Sequence, residues 1–443
     1  MRYIGCLYAR SSESLRLRKD AADDIAQAKA LTAQCPFLCQ ANLLYSISLF
    51  WSDDRAGSRR YMDDAISMAI SLGMHRQEFA AMFGEGDAIL AESWRRTWWQ
   101  IYIVEWNYTA ITRETNSRMR DVCAAVDLPC EEHEYEAGAI PTPASLADFD
   151  SREFASESPS FSLFAYLIGS TRGIAQILAG TPLNKETYPP VEVVEAADAM
   201  VDGWILLLPD SKRPVMSKTG EIDELLFQAY MGMHAGMVGL HRPYSALLFD
   251  PLEEISSCFT NAPGNEPLDE NTNIHTMRCL ASVEAQIRLM TLPKRPFCHS
   301  PFTICMITTG TIPFLSACKF LLTGTKLSIA REQIRLTIGC LRSLAHVWPQ
   351  GEKTVKEIQA IAREVLGLGA SAASMSCPQH STAASGTSSR VSGSQRSPES
   401  MNGSRDSSTM EESLFPDSMD SLSSYWDIQN QQIDMNLWFT NYS

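Results

Sequence analysis

Apolar residues along this chain recur at intervals of three and four, the spacing that gathers them on one face of an α-helix. Nowhere do apolar and polar residues alternate for long enough to build a sheet. An Ala-rich stretch over residues 21–31 is followed by a segment over 38–51 that carries Leu43, Ile47, Phe50 and Trp51 on one side. A turn is expected over 53–58. Tyr61, Ala65, Met68 and Leu72 then repeat the pattern up to Gly73, a residue suited to the left-handed end of a helix. These segments predict an antiparallel helix pair, and no second copy at a fixed period supports a repeat array. Further helices are predicted over residues 161–178, 191–208, 222–240, 274–292, 301–323, 328–347 and 352–367. In the 222–240 helix Leu225, Leu226, Ala229, Tyr230, Met233 and Met237 lie close in angle, and Pro243 supplies the stop. The class this predicts is all-α.

The densest segment is residues 94–106, where four of the nine tryptophans fall within thirteen positions. Trp94, Trp98, Ile101, Tyr102 and Glu105 share one helical face, and Trp99, Ile103 and Trp106 occupy the next. A helix apolar around most of its girth is buried on several sides, so other helices must pack against it. Arg95 and Arg96 are thereby held near aromatic rings, where a guanidinium stacks on an indole or pairs with a carboxylate.

Between helices, residues 131–159 are acidic and proline-containing without apolar period, which reads as a long solvated loop, as does 250–273. Beyond residue 367 the composition changes. Residues 368–410 are dominated by Ser, Gly, Ala and Thr, too little apolar surface to offset chain entropy, and are expected to be disordered. Residues 411–443 carry six acids and no Lys or Arg, interleaved with Phe415, Tyr425, Trp426, Trp438 and Phe439. Acids that keep aromatic groups solvated are the compositional mark of an activation segment able to lay an apolar side into a coactivator groove.

Charge and cysteines narrow the function. With 37 basic against 52 acidic residues the net charge is -15, which opposes sequence-independent attraction to phosphate backbones. Twelve cysteines are scattered without a C-x2-C pair, so the tight thiolate spacing that a binuclear zinc cluster needs is absent. Cys35 and Cys39 share a helical face but have no second pair nearby, and they read as reduced, buried thiols rather than a metal site. Residues 1–20 lack the continuous apolar core of a signal peptide. The uncharged run over 301–318 has membrane-spanning length, yet its four threonines, Gly310 and Pro313 suit a buried helix better, so no membrane is expected as a partner.

Three stretches together resemble a known family: Ala65-Ile66-Ser67-Met68-Ala69-Ile70-Ser71-Leu72-Gly73-Met74-His75-Arg76 closing the second helix of the pair, Glu92-Ser93-Trp94-Arg95-Arg96-Thr97-Trp98-Trp99, and Asp127-Leu128-Pro129. They resemble the middle homology region of fungal-specific transcription factors, regulators that usually carry an N-terminal six-cysteine zinc cluster. Leu240-His241-Arg242-Pro243-Tyr244 is similar to the Leu-His-Arg-Pro element of the same family, and the resemblance extends over about residues 35–350. On this basis 1–34 is a helical lead-in and 35–367 the regulatory domain, followed by the linker and the activation segment.

The resemblance implies a nuclear regulator of a metabolic gene set, secondary-metabolite genes among them, whose helical domain restrains or licenses activation on sensing a small-molecule effector or a partner. A homodimer and coactivators are the further partners it implies. Promoter DNA would be reached through a zinc cluster missing from these residues or through another protein, and zinc is expected as a cofactor only in the first case. A different class of protein, a cytosolic metabolite-binding helical domain, is the alternative.

His75-Arg76 and His241-Arg242 each offer a base beside an anion-holding group. Each also follows a predicted helix end, where a cation is favourable for structural reasons alone. No phosphate loop, nucleophile elbow or paired-His metal motif accompanies them, so no enzyme is expected.

Overall fold

The computed structural model describes residues 1–31, 35–112, 117–155, 160–180, 190–258, 272–293 and 297–367. Its helix boundaries follow from caps. Helix α1 (Arg2–Tyr8) and helix α2 (Ser14–Leu31) precede α3 (Pro36–Phe50), whose proline in the first turn removes an amide that would have no partner there. Helix α4 (Arg55–Ser71) starts where the Asp54 carboxylate accepts the Gly57 N–H at 2.9 Å, so the turn expected over 53–58 closes sooner than its composition suggested. It ends in a Schellman motif: Gly73 has φ of 77°, its N–H donates to Ile70 O at 3.0 Å, and Met74 N–H donates to Ala69 O at 2.9 Å. Ser46 meets Ser58 and Tyr45 meets Tyr61, the pairing of the predicted antiparallel hairpin.

The chain continues through a short helix α5 (Gln77–Phe83), unpredicted from periodicity, into α6 (Ala88–Thr112). Burial surrounds α6, with Trp94, Trp98, Trp99, Ile101 and Ile103 at 1% exposure or less. The segment read as a solvated loop instead folds in part, as α7 (Glu132–Ala137), α8 (Leu146–Asp150) and a 3-10 turn (Arg152–Phe154). Reciprocal side-chain caps start both helices, Glu131 with Glu134 and Ser145 with Asp148, and α8 inserts Phe149 into the core.

The second half is built mainly of helices: α9 (Leu163–Gly180), α10 (Val191–Leu206), α11 (Glu224–His241), α12 (Thr272–Met290), α13 (Thr303–Phe320), α14 (Gly324–Ala345) and α15 (Pro349–Val365). Helix α11 is central. It packs on α9, α12 and α13, and α13 packs in turn on α14 and α15. Helix α13 is long and apolar enough to cross a membrane, but 83% of it is buried inside the protein, where Gly310 gives way to the Gln286 amide of α12. One apolar cluster runs from Cys39 to Ala362 and joins both halves. Tyr3, Ile25, Leu38, Tyr45, Leu49 and Tyr61 form a smaller one that seats α1 and α2 on the hairpin. Among the described residues no strand is present, only an isolated bridge between Met216 and Ile222. The fold is all-α. The linker expected over 368–410 and the activation segment with Phe415, Tyr425, Trp426, Trp438 and Phe439 lie outside the described residues.

Candidate functional site

The motif residues of α6 converge on a carboxylate that periodicity alone did not single out. Glu92 is 0% exposed and lies one helical turn before both arginines. Its Oε2 accepts from Arg95 Nε at 2.8 Å, and its Oε1 accepts from Arg96 Nε at 2.9 Å and from the Cys130 N–H at 2.9 Å. Arg96 then reaches across to the next segment, donating Nη1 to Glu132 Oε2 at 2.7 Å and Nη2 to the Cys130 and Glu131 carbonyls at 3.0 and 3.4 Å. Its guanidinium lies 4.2 Å over the Tyr135 ring. Burial disfavours the charge on Arg96, but Glu132 and Glu92 outweigh it and hold the group above the usual arginine range.

Tryptophans complete the clamp. Trp99 Nε1–H donates to Asp127 O at 3.0 Å and Trp94 Nε1–H to Phe83 O at 2.9 Å. Asp127-Leu128-Pro129 is thus an extended segment tied along α6, and Leu128 is also fixed through its N–H to Ala144 O at 2.8 Å. Ser162 Oγ donates to Pro129 O at 2.6 Å, and Glu131 pairs with Lys212, so the beginning of α9 and the loop before α11 are drawn to the same place. Burial and the nearby Glu92 push the Cys130 thiol up to about 11, which disfavours its thiolate form.

His75 and Arg76 do not share one role. The His75 ring sits 5.9 Å from that of Trp98, its carbonyl accepts the Ala125 N–H at 2.9 Å, and burial, reinforced by Arg76, lowers its pKa. Arg76 is exposed and stands between two helices, after the Gly73 end of α4 and at the N-cap of α5.

The second predicted pair lies in the other half, on α11. His241 is 0% exposed at the last residue of that helix. Its Nε2 meets Asp198 Oδ1 at 2.9 Å and its Nδ1 meets His275 Nδ1 at 2.9 Å. If His241 gives Nε2–H to the carboxylate, its Nδ1 accepts from His275. Asp198 also pairs with Arg278 at 3.1 Å, so α10, α11 and α12 meet here. Arg242 is buried against Glu253 at 2.6 Å, with its guanidinium 4.1 Å over Phe249, and Pro243 lies in the 3-10 turn that ends the helix. The two clusters are therefore separate interlocks, each an ion pair that fixes helices to a following loop. Among the described residues no group of three or more His, Cys, Asp or Glu side chains is arranged to hold a metal. Cys39 is fully buried, and burial beside Cys35 raises its thiol to about 12.

Residues 1–176 match the family model of the fungal specific transcription factor domain. Over those residues the chain is similar to that domain. The match takes in α1 and α2 as well as the Glu92 clamp, and leaves the Leu240–Tyr244 element outside it. A curated relative, a C6 finger domain transcription factor, iacK, of Pestalotiopsis fici, is 33% identical over 368 residues. That alignment covers 82% of this chain and 53% of the relative, so the chain spans about half the length of the relative it matches. Both matches are to regulators of transcription and not to an enzyme. No solved structure matches.

Proposed function

We propose that the chain is a fungal transcriptional regulator whose helical domain transmits a regulatory state to an acidic, aromatic activation segment at 411–443. The observation that carries this is the Glu92 clamp, in which the domain's motif residues spend their hydrogen bonds inside the protein, supported by the family match. Arg96 meets a side chain or a carbonyl with Nε, Nη1 and Nη2, which favours an interlock over direct capture of an anion.

The cysteine pattern does not fit a six-cysteine cluster, because no C-x2-C pair is present. Promoter contact in this reading comes from elsewhere, through a zinc cluster outside these residues or through a partner, and nuclear location follows from that role. The targets proposed are metabolic genes, secondary-metabolite genes included. A homodimer, coactivators and a small-molecule effector are the partners proposed.

Tethering the full chain to an unrelated DNA-binding domain tests the reading: reporter activation is expected. Silence combined with tight binding of a metabolite would favour the metabolite-binding alternative. A cleft of about 220 Å³ between α9 and α10, lined by Gly173, Ile177, Val193 and Met200, falls short of the roughly 300–1,000 Å³ of ordinary ligand pockets.

A further inference from the structure

One pair of reactive side chains belongs to neither interlock. Cys258 lies in the turn after the 3-10 segment Pro251–Ile255, and Cys305 lies in the first turn of α13. Their sulfurs are 3.2 Å apart although 47 residues separate them along the chain. A disulfide bond measures about 2.0 Å, so about 1.2 Å of closure would join them.

The turn is held in register from α15. Glu357 Oε2 accepts both the Ser257 N–H and the Ser257 Oγ–H at 2.9 Å, and Gln350 Nε2 donates to Ser257 Oγ at 3.0 Å. Cys258 N–H donates to Ser256 Oγ at 3.3 Å. Cys258 is half-buried, which leaves it an approach from solvent, while Cys305 is 5% exposed behind it. We propose that Cys258 and Cys305 form a hydroperoxide-oxidised dithiol that closes to an intramolecular disulfide between the 250–258 turn and α13.

The two thiols are unequal in the sense the reaction needs. The contact between the two sulfurs lowers the Cys258 pKa against the opposing effect of burial, and the same contact, followed by burial, raises Cys305. Cys258 is thus the attacking thiolate and Cys305 the resolving thiol. The Cys258 sulfur attacks one peroxide oxygen, the O–O bond breaks, and the leaving hydroxide takes the proton lost from Cys258 and departs as water, which leaves a sulfenic acid. The Cys305 sulfur then attacks the Cys258 sulfur, the S–O bond breaks, and hydroxide takes the Cys305 proton. Two thiols and one peroxide give one disulfide and two waters, with the peroxide reduced by two electrons. Disulfides in cytosolic or nuclear proteins are usually transient and redox-sensing, and the segment that leads into Cys258 also carries Glu253 of the Arg242–Glu253 interlock.

The test uses the full reduced chain and hydrogen peroxide, followed by alkylation in denaturant, digestion and mass spectrometry. Peroxide is raised until Cys123 or Cys298, both exposed, is oxidised and serves as the internal reference. The expected result is a crosslinked peptide pair containing Cys258 and Cys305, with both thiols lost to alkylation at lower peroxide than the reference. Cys305→Ser should accumulate a sulfenic acid at Cys258 that dimedone traps, and Cys258→Ser should leave Cys305 alkylatable. Oxidation of Cys123 or Cys298 with no Cys258–Cys305 crosslink in the unmodified chain overturns the proposal, as does crosslinking of Cys258 to any other cysteine. The first readout requires no variant to fold.

Discussion

Glu92 is the residue on which the motif segment depends, because a buried carboxylate bonded to two guanidinium groups and a backbone N–H leaves three unpaired donors when it is removed. Breaking a buried ion pair by deleting one partner costs about 3–5 kcal/mol, more than the pair contributes relative to an apolar replacement. Glu92→Ala is therefore expected to lower unfolding stability by about 3–5 kcal/mol in chemical denaturation. Arg96→Lys keeps a charge but loses the fork, and should cost about 1–3 kcal/mol. A Glu92→Ala protein as stable as the original would show that the clamp carries no stability.

A second residue-scale prediction concerns His234 on α11, whose ring lies parallel to that of Tyr230 at 6.4 Å. Burial lowers its pKa to about 4 from an ordinary 6.5. Between those values the unfolded chain binds the proton and the folded chain does not, so stability is full above pH 6.5 and is lost as pH falls toward 4. The loss should reach about 2–3 kcal/mol. Replacing His234 with Gln should flatten that part of the pH profile, and an unchanged slope would assign the acid sensitivity to the carboxylates instead.

At the scale of elements, glycines on adjoining helices separate close packing from backbone entropy. A Cβ on Gly351, in the first turn of α15, would meet the Ala345 Cα at 2.9 Å and its backbone N at 3.0 Å, and backbone atoms cannot step aside as a side chain does. Gly351→Ala should cost about 1–3 kcal/mol. Gly339, exposed in the interior of α14, has nothing within 4 Å of such a Cβ, so Gly339→Ala should stabilise by about 0.5–1 kcal/mol. Thermal melts of the two variants should move in opposite directions, and a shared direction would refute the packing account.

The long helices were legible because their apolar faces are periodic and their ends carry recognisable caps, Gly73 and Pro243 among them. Short α7 and α8 were not, since five or six residues complete too few turns to show a period. Their reciprocal caps at Glu131 and Ser145 were nevertheless present to be read. The same contrast holds at the clamp. Glu92 stands at the three- and four-residue spacing that pairs it with Arg95 and Arg96, whereas the partners of Arg96 at residues 130–132 come from a segment 34 to 36 positions away that only the fold brings near.

For the whole molecule, the distribution of charge bears on the role proposed at a promoter. A net charge of -15 repels the phosphate backbone, while the proposed activation segment at 411–443 sets six acids among aromatic residues, the composition proposed to meet a coactivator groove. Removing 411–443 distinguishes that use from a tail that packs back on the domain. An activation segment that contributes nothing to the core should leave the melting temperature within about 1–2 °C, the most that a change below about 0.5 kcal/mol moves a domain of this size. The tethered reporter should then lose most of its output. A tail docked on the domain predicts the reverse pattern, a lower melting temperature with activation retained or increased. Replacing Trp426 and Trp438 together by Ala should reproduce the loss of activation without the deletion, because the aromatic side chains supply the apolar area that the groove buries, about 25 cal/mol for each Å² removed from water. Full activation by that double variant would leave the acids alone as the source of the signal.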